Sequence, residues 1–180
     1  MNKQDDGWPK DREVLYNPQR KAYHKEKDNI KECVFCHVRR GKPSFENLVL
    51  YKGKKFMVVL NKYPYHIGHM MVMPKRHVGD LHKLKEDEYI MIQLAIRVAL
   101  RVLEKEYKCH GLNVGINLGR AAGAGIPHHL HYHLIPRWIG DCNFFPQIAK
   151  TRVMSEGLEE TYHRIRKPLE KALRKLEDEH

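Results

Sequence analysis

The segment GIPHHLHYHLIPRW, residues 125–138, carries His128, His129, His131 and His133, and the last three fall at every second position. Two-residue spacing is the period of an extended strand, so these three imidazoles share one face while Leu130, Tyr132 and Leu134 point the other way. The pattern predicts rings facing a site and apolar residues facing a core. An imidazole titrates at about 6.5, which lets its neutral form serve as nucleophile, proton carrier or metal ligand at ordinary pH. His128 breaks the alternation and is expected in the preceding turn or on the opposite side. Just upstream, AAGAG (Ala121 to Gly125) supplies small residues where main-chain amides can approach anion oxygens. Farther upstream, CVFCH (Cys33 to His37) reads in three ways: a c-type haem attachment sequence, a local redox pair, or half of a zinc site that needs two more ligands.

These residues need a scaffold, and the hydrophobic pattern supplies one. LVLY and KFMVVLN read as two strands around the turn KGK, and HMMVMP as a third ended by Pro74. Met70, Met71 and Met73 are read as core filling rather than soft-metal ligands. From Lys83 to Lys108 the chain has no Pro or Gly, starts acidic and ends basic, and spaces Ile92, Ala95, Ala99 and Leu103 at three to four residues. That predicts a long helix, with Gly111 as its stop. LNVGINLG gives a fourth strand and HLHYHLIP a fifth. Residues 155–179 look helical, with Pro168 as an expected break. The sum is an antiparallel α+β domain of about five strands, one long central helix and a C-terminal helix. No βαβ alternation or G-x-G-x-x-G sequence points to a Rossmann fold. Residues 1–30 read as an extended basic arm, 31–150 as the domain and 151–180 as a C-terminal helical extension.

The chain has 180 residues, 33 Lys and Arg against 22 Asp and Glu, and a formal charge of +11. An anionic partner is therefore expected: a nucleotide, a nucleic acid or a membrane surface. No apolar run approaches the roughly 20 residues a bilayer span needs, and MNKQDDGWPKDREV lacks a secretory stretch, so a cytoplasmic protein without membrane partner is the expectation. In that compartment Cys33, Cys36, Cys109 and Cys142 are reduced thiols or metal ligands rather than disulfides.

The order of NKYPYHIGHMMVMPKRH, NLGRAAGAGIP and HHLHYHLIPRW resembles the histidine triad (HIT) family of nucleotide hydrolases and transferases, whose signature alternates three histidines with apolar residues. Here it is His129-Leu130-His131-Tyr132-His133-Leu134-Ile135. PRWIGDCNF and LYNPQRKAY look most like the branch of diadenosine tetraphosphate phosphorylases and related dinucleoside polyphosphate enzymes. The resemblance implies that His131 attacks an α-phosphorus to give a nucleotidyl-imidazole, and that His133 and His69 contact phosphate or leaving-group oxygens. For that attack His131 must keep one ring nitrogen unprotonated while the other donates to a main-chain carbonyl. It further implies Asn117 on the phosphate side, Asn61 at the ribose, Phe35 and Val59 as walls for the base, and Gly123, Ala124, Gly125 and Ile126 as the small-residue loop. Asn61 also reads as a plain turn residue. Gly125 stands where many members carry Gln or Ser, which leaves water and phosphate both open as the second acceptor.

Relatives that keep C-x-x-C complete a zinc site with histidines matching His77 and His129. The resemblance thus implies a closed Cys2His2 structural zinc on Cys33, Cys36, His77 and His129, one per chain and with no organic cofactor. It also implies a homodimer. Two other functions stand beside an enzyme: a nucleotide-binding regulatory module with little turnover, and a nucleic-acid end-processing protein, for which no further motif is found.

Overall fold

The computed structural model describes residues 32–141 and 155–180. The expected arm at 1–30, Cys142 and residues 142–154 lie outside the described residues. Five strands, β1 (Val49–Lys52), β2 (Phe56–Leu60), β3 (Met70–Pro74), β4 (Gly111–Ile116) and β5 (Tyr132–Arg137), form one antiparallel sheet in the order β1-β2-β3-β5-β4. Among the described residues three α-helices accompany them: α1 (Val34–Val38), α2 (Glu86–Tyr107) and α3 (Leu158–Glu179), with a 3-10 turn at Leu81–Lys83. The α+β architecture is the expected one.

Strand alternation sorts the side chains into two cores. Leu50, Phe56, Val58, Leu60, Met70, Val72, Tyr132 and Leu134 pack against Ile92, Ala95, Ala99 and Leu103 of α2 and against Ile165, Leu169 and Leu173 of α3. The other sheet face carries Val49, Met57, Val59, Met71 and Met73 under Phe35 of α1. Because both faces are covered, β2 and β3 are buried at every position.

Three boundaries differ from the sequence reading, each for a local reason. Helix α2 stops before Gly111, at Lys108, which takes the left-handed conformation (φ 47°) that ends a helix, while Gly111 opens β4. Helix α3 runs unbroken through Pro168. An interior proline costs about 3 kcal/mol, but Tyr162, Ile165, Leu169, Leu173 and Leu176 continue one buried stripe on both sides of it. At about 1.5–3 kcal/mol for each fully buried large apolar side chain, that stripe outweighs the proline. The histidine strand begins at Tyr132 rather than His129. Its upstream residues are held by a turn bond from His129 N to the Ile126 carbonyl and a single bond from Leu130 N to Val78.

Two glycines permit this arrangement. A Cβ on Gly79 would lie 2.5 Å from the Pro127 carbonyl oxygen, so only glycine lets the segment after β3 touch the turn that presents His129. Gly68 has φ +73° immediately before His69.

Candidate active site and metal group

His131 is buried, with its ring centroid 5.3 Å from that of Phe35. Its Nδ1 is 2.8 Å from the main-chain carbonyl of His129 and can only donate there, so the lone pair resides on Nε2. Burial pushes its pKa down, partly opposed by that bond, and the ring is neutral at pH 7. This is the carbonyl contact expected from the sequence.

The tautomers of two further histidines follow from a chain of donors. Tyr65 N–H donates to His69 Nδ1 at 3.0 Å, which places the His69 proton on Nε2. That Nε2 lies 2.9 Å from His133 Nδ1 and donates to it. His133 therefore carries its own proton on Nε2. Burial and the neighbouring His131 push its pKa down to about 4, so it is a neutral donor at pH 7. The His131 and His133 rings are 5.0 Å apart. His69, only 1% exposed, has both nitrogens engaged, by the Tyr65 amide and by His133.

Among the expected substrate contacts, Phe35, Val59 and Ile126 meet on one apolar surface with Met71 and Met73. Asn117, half-buried just beyond β4, lies beside the small-residue loop: a Cβ on Gly123 would be 3.8 Å from its Nδ2. Asn61 does turn work. Its Oδ1 takes the Tyr63 N–H at 3.0 Å, its own N–H donates to the His69 carbonyl at 3.0 Å, and its Nδ2 is 3.4 Å from the His69 ring. The loop corrects one expectation. Gly123 N and Ala124 N already donate to the carbonyls of Arg120 and Gly119, at 2.9 and 3.2 Å, so these two amides are spent on the turn itself and do not form an anion cradle. Sequence reasoning also missed Tyr65, whose ring stacks 4.9 Å from His69 and whose amide starts the donor chain. Its place in NKYPYHIG was the available signal.

Beside the histidines, Cys33, Cys36, His77 and His129 converge so that one ligand atom from each lies within 4.8 Å of the others. Cys33 Sγ is 3.5 Å and Cys36 Sγ 3.8 Å from His129 Nδ1, and Cys36 Sγ is 3.2 Å from His77 Nδ1. Tetrahedral zinc with ordinary Zn–S and Zn–N bonds has sulfur–nitrogen edges of about 3.6 Å, so the donor set fits that ion without rearrangement. His129 is prepared for it. Its Nε2 donates to the Pro74 carbonyl at 2.8 Å, leaving Nδ1 unprotonated toward the sulfurs, and burial pushes its pKa down to about 4. The Cys36 thiol is pushed up by burial and by Cys33, which disfavours a bare thiolate and makes a neutralising cation the natural companion.

The chain belongs to the histidine triad family: the HIT domain model matches residues 42–138. It is 42% identical over 116 residues to the AP-4-A phosphorylase of Mycobacterium tuberculosis, a match covering 64% of this chain. The chain spans about 60% of the length of that curated relative. Among solved structures, a hypothetical histidine triad nucleotide-binding protein from Sulfolobus tokodaii aligns with a TM-score of 0.63 at 31% identity, covering 81% of this chain and 97% of that one. A Zn-bound histidine triad family protein from Mycobacterium smegmatis aligns with a TM-score of 0.59 at 27% identity, covering 83% and 98%. No helix among the described residues is long and apolar enough to cross a membrane.

Proposed function

We propose that the chain is an enzyme that cleaves a phosphoanhydride of a nucleoside polyphosphate, of the dinucleoside class represented by diadenosine tetraphosphate. The single observation that carries this reading is the His131 ring, pinned through Nδ1 to the His129 carbonyl with its nucleophilic Nε2 left unprotonated. Nε2 attacks the α-phosphorus, the bridging P–O bond breaks, and the departing ATP carries away the electron pair while AMP stays on the imidazole. His133, neutral and protonated on Nε2, donates a hydrogen bond to a phosphate oxygen on which charge gathers. His69 is a positioning residue that keeps the His133 proton on that nitrogen. Phe35, Val59 and Ile126 form the wall for the base; Asn117 serves the phosphate side and Asn61 the ribose side. A second acceptor then attacks phosphorus and frees the imidazole. The similarity to a protein named as a phosphorylase supports inorganic phosphate in that role, which gives ADP, whereas water gives AMP.

Cys33, Cys36, His77 and His129 would hold one Zn2+, whose chemistry here is structural: with four protein ligands it offers no open position for water. By fixing His129, this group fixes the carbonyl that orients His131. We assign the HIT domain to residues 31–150, with residues 1–30 as a basic arm and 151–180 as a C-terminal helical extension whose helix packs into the same core, and place the protein in the cytoplasm as a homodimer. A regulatory module that only binds nucleotide has no need of a prepared nucleophile.

Incubation with diadenosine tetraphosphate tests the reading. ATP with ADP formed only when phosphate is present establishes phosphorolysis, and ATP with AMP in its absence establishes hydrolysis. Tight binding of the dinucleotide without either product would reject the enzyme reading.

A further inference from the structure

Away from His131, the end of α1, the β1–β2 turn, the residues following β3 and the first turn of α2 converge on an open hollow of about 300 Å3, lined by Arg39, Lys54, Lys55, Lys75, Arg76 and Glu88. Two of its five cations are neutralised. Lys55 Nζ lies 2.7 Å from Asp87, and Arg76 reaches both oxygens of Glu88 at 2.9 and 2.7 Å. The side chains of Arg39, Lys54 and Lys75 make no ion pair among the described residues, although the Lys54 main-chain N–H donates to Glu177 Oε1 at 2.6 Å, which brings a carboxylate to the edge of the hollow. Main-chain carbonyls hold two of them: Arg39 Nη1 donates to Lys75 O at 2.6 Å, and Lys75 Nζ to Gly53 O at 3.2 Å. Next to them, Lys52 donates to the carbonyls of Arg39 and Gly41, and its pKa is pushed down by burial and by Lys75 and Arg39. A carbonyl fixes a cation in place without cancelling its charge. The mutual repulsion is thus left to be relieved by an anion from outside the chain.

We propose that this hollow binds a free oligophosphate anion, a linear chain of phosphates with three or more negative charges. Arg39, Lys75 and the adjoining Lys52, held by carbonyls and in no ion pair among the described residues, match that charge, and the planar Arg39 fork suits two oxygens of one phosphate. None of the six lining residues is aromatic, so the hollow lacks the stacking platform that sites for single-stranded nucleic acid use. Lys75 directly follows Pro74, whose carbonyl holds His129, so the hollow adjoins the metal group and does not draw on the reaction assigned to His131.

Titration calorimetry of the full chain with sodium tripolyphosphate at about 0.15 M salt tests this, a concentration at which scattered surface charges are largely screened. Saturable binding is expected, with inorganic phosphate at least about tenfold weaker. The double variant K54Q/K75Q should lose about tenfold or more in affinity. If the double variant melts early, Lys54→Glu on the exposed turn decides alone, with a loss of about fivefold expected. A folded variant that binds tripolyphosphate within twofold of the wild type overturns the proposal. So does a 12-nucleotide RNA that binds more tightly than tripolyphosphate and is lost in the same variants, which would assign the hollow to nucleic acid.

Discussion

His129 and His131 are two residues apart, both buried, and both anchored through one ring nitrogen to a main-chain carbonyl, yet they present opposite atoms. His129 spends Nε2 on Pro74 and turns Nδ1 to the cysteines. His131 spends Nδ1 on the His129 carbonyl and keeps the lone pair on Nε2. The residue type is the same; the carbonyl that each ring meets decides which nitrogen keeps its lone pair, and the proposed roles of metal ligand and nucleophile rest on that difference. Sheet geometry sets those carbonyls, since Pro74 closes β3 and the His129 carbonyl lies just before β5 begins. A motif of alternating histidines therefore has chemically distinct members, and the difference can be broken from either side.

The largest effect is expected at the proposed nucleophile. Replacing His131 by Asn should lower turnover of diadenosine tetraphosphate by about 10⁴-fold or more while the melting temperature and dinucleotide affinity change little. Turnover retained within tenfold would place the attacking group elsewhere. At the metal side, the loss should appear first in stability. Cys36→Ser, or a strong chelator on the wild type, should lower the melting temperature by several degrees and release about one zinc per chain, with activity falling as the His129 carbonyl loses its anchor. Unchanged melting with no zinc released would remove the metal from the account. Between these lies His69→Phe, which fills the buried site but deletes the donor to His133. A drop of about 10²-fold in kcat with KM nearly constant is expected, and His69→Gln, whose amide can still donate, should recover part of it. A change confined to KM would instead make His69 a binding residue.

The fold was legible because its signals are local and periodic. Ile92, Ala95, Ala99 and Leu103 mark the buried face of α2, and Tyr132 and Leu134 the buried face of β5, with no help from distant residues. Proximity of the four metal-group residues was legible only through family resemblance, since 41 residues separate Cys36 from His77. What stayed hidden is what depends on competition between main-chain partners. The amides of Gly123 and Ala124 look available in a string of small residues, and only coordinates reveal that Arg120 and Gly119 have taken them. Pro168 was misjudged because a proline is read locally while the burial that overrules it comes from α2 across the core. The donor chain from Tyr65 through His69 to His133 spans 68 residues of sequence in two steps, and no spacing rule predicts it.

The smallest effect sharpens the comparison by acid. His133 is held with a pKa of about 4, against about 6.5 for an unfolded imidazole. The unfolded chain therefore takes up this proton first as pH falls, so the stability tied to a neutral His133 is complete above about pH 6.5 and is lost between there and about pH 4. A protonated His133 would also turn an N–H toward the His69 Nε2–H, adding a geometric conflict to the cost of burying charge. Between pH 7.5 and 5.0 the wild type should lose about 1 kcal/mol more stability than His133→Gln, which keeps polarity but cannot titrate. Denaturant titrations with zinc in excess hold the metal side constant. Equal losses in the two proteins would show that the ring takes its proton without strain, and the donor chain through His69 would then be wrong.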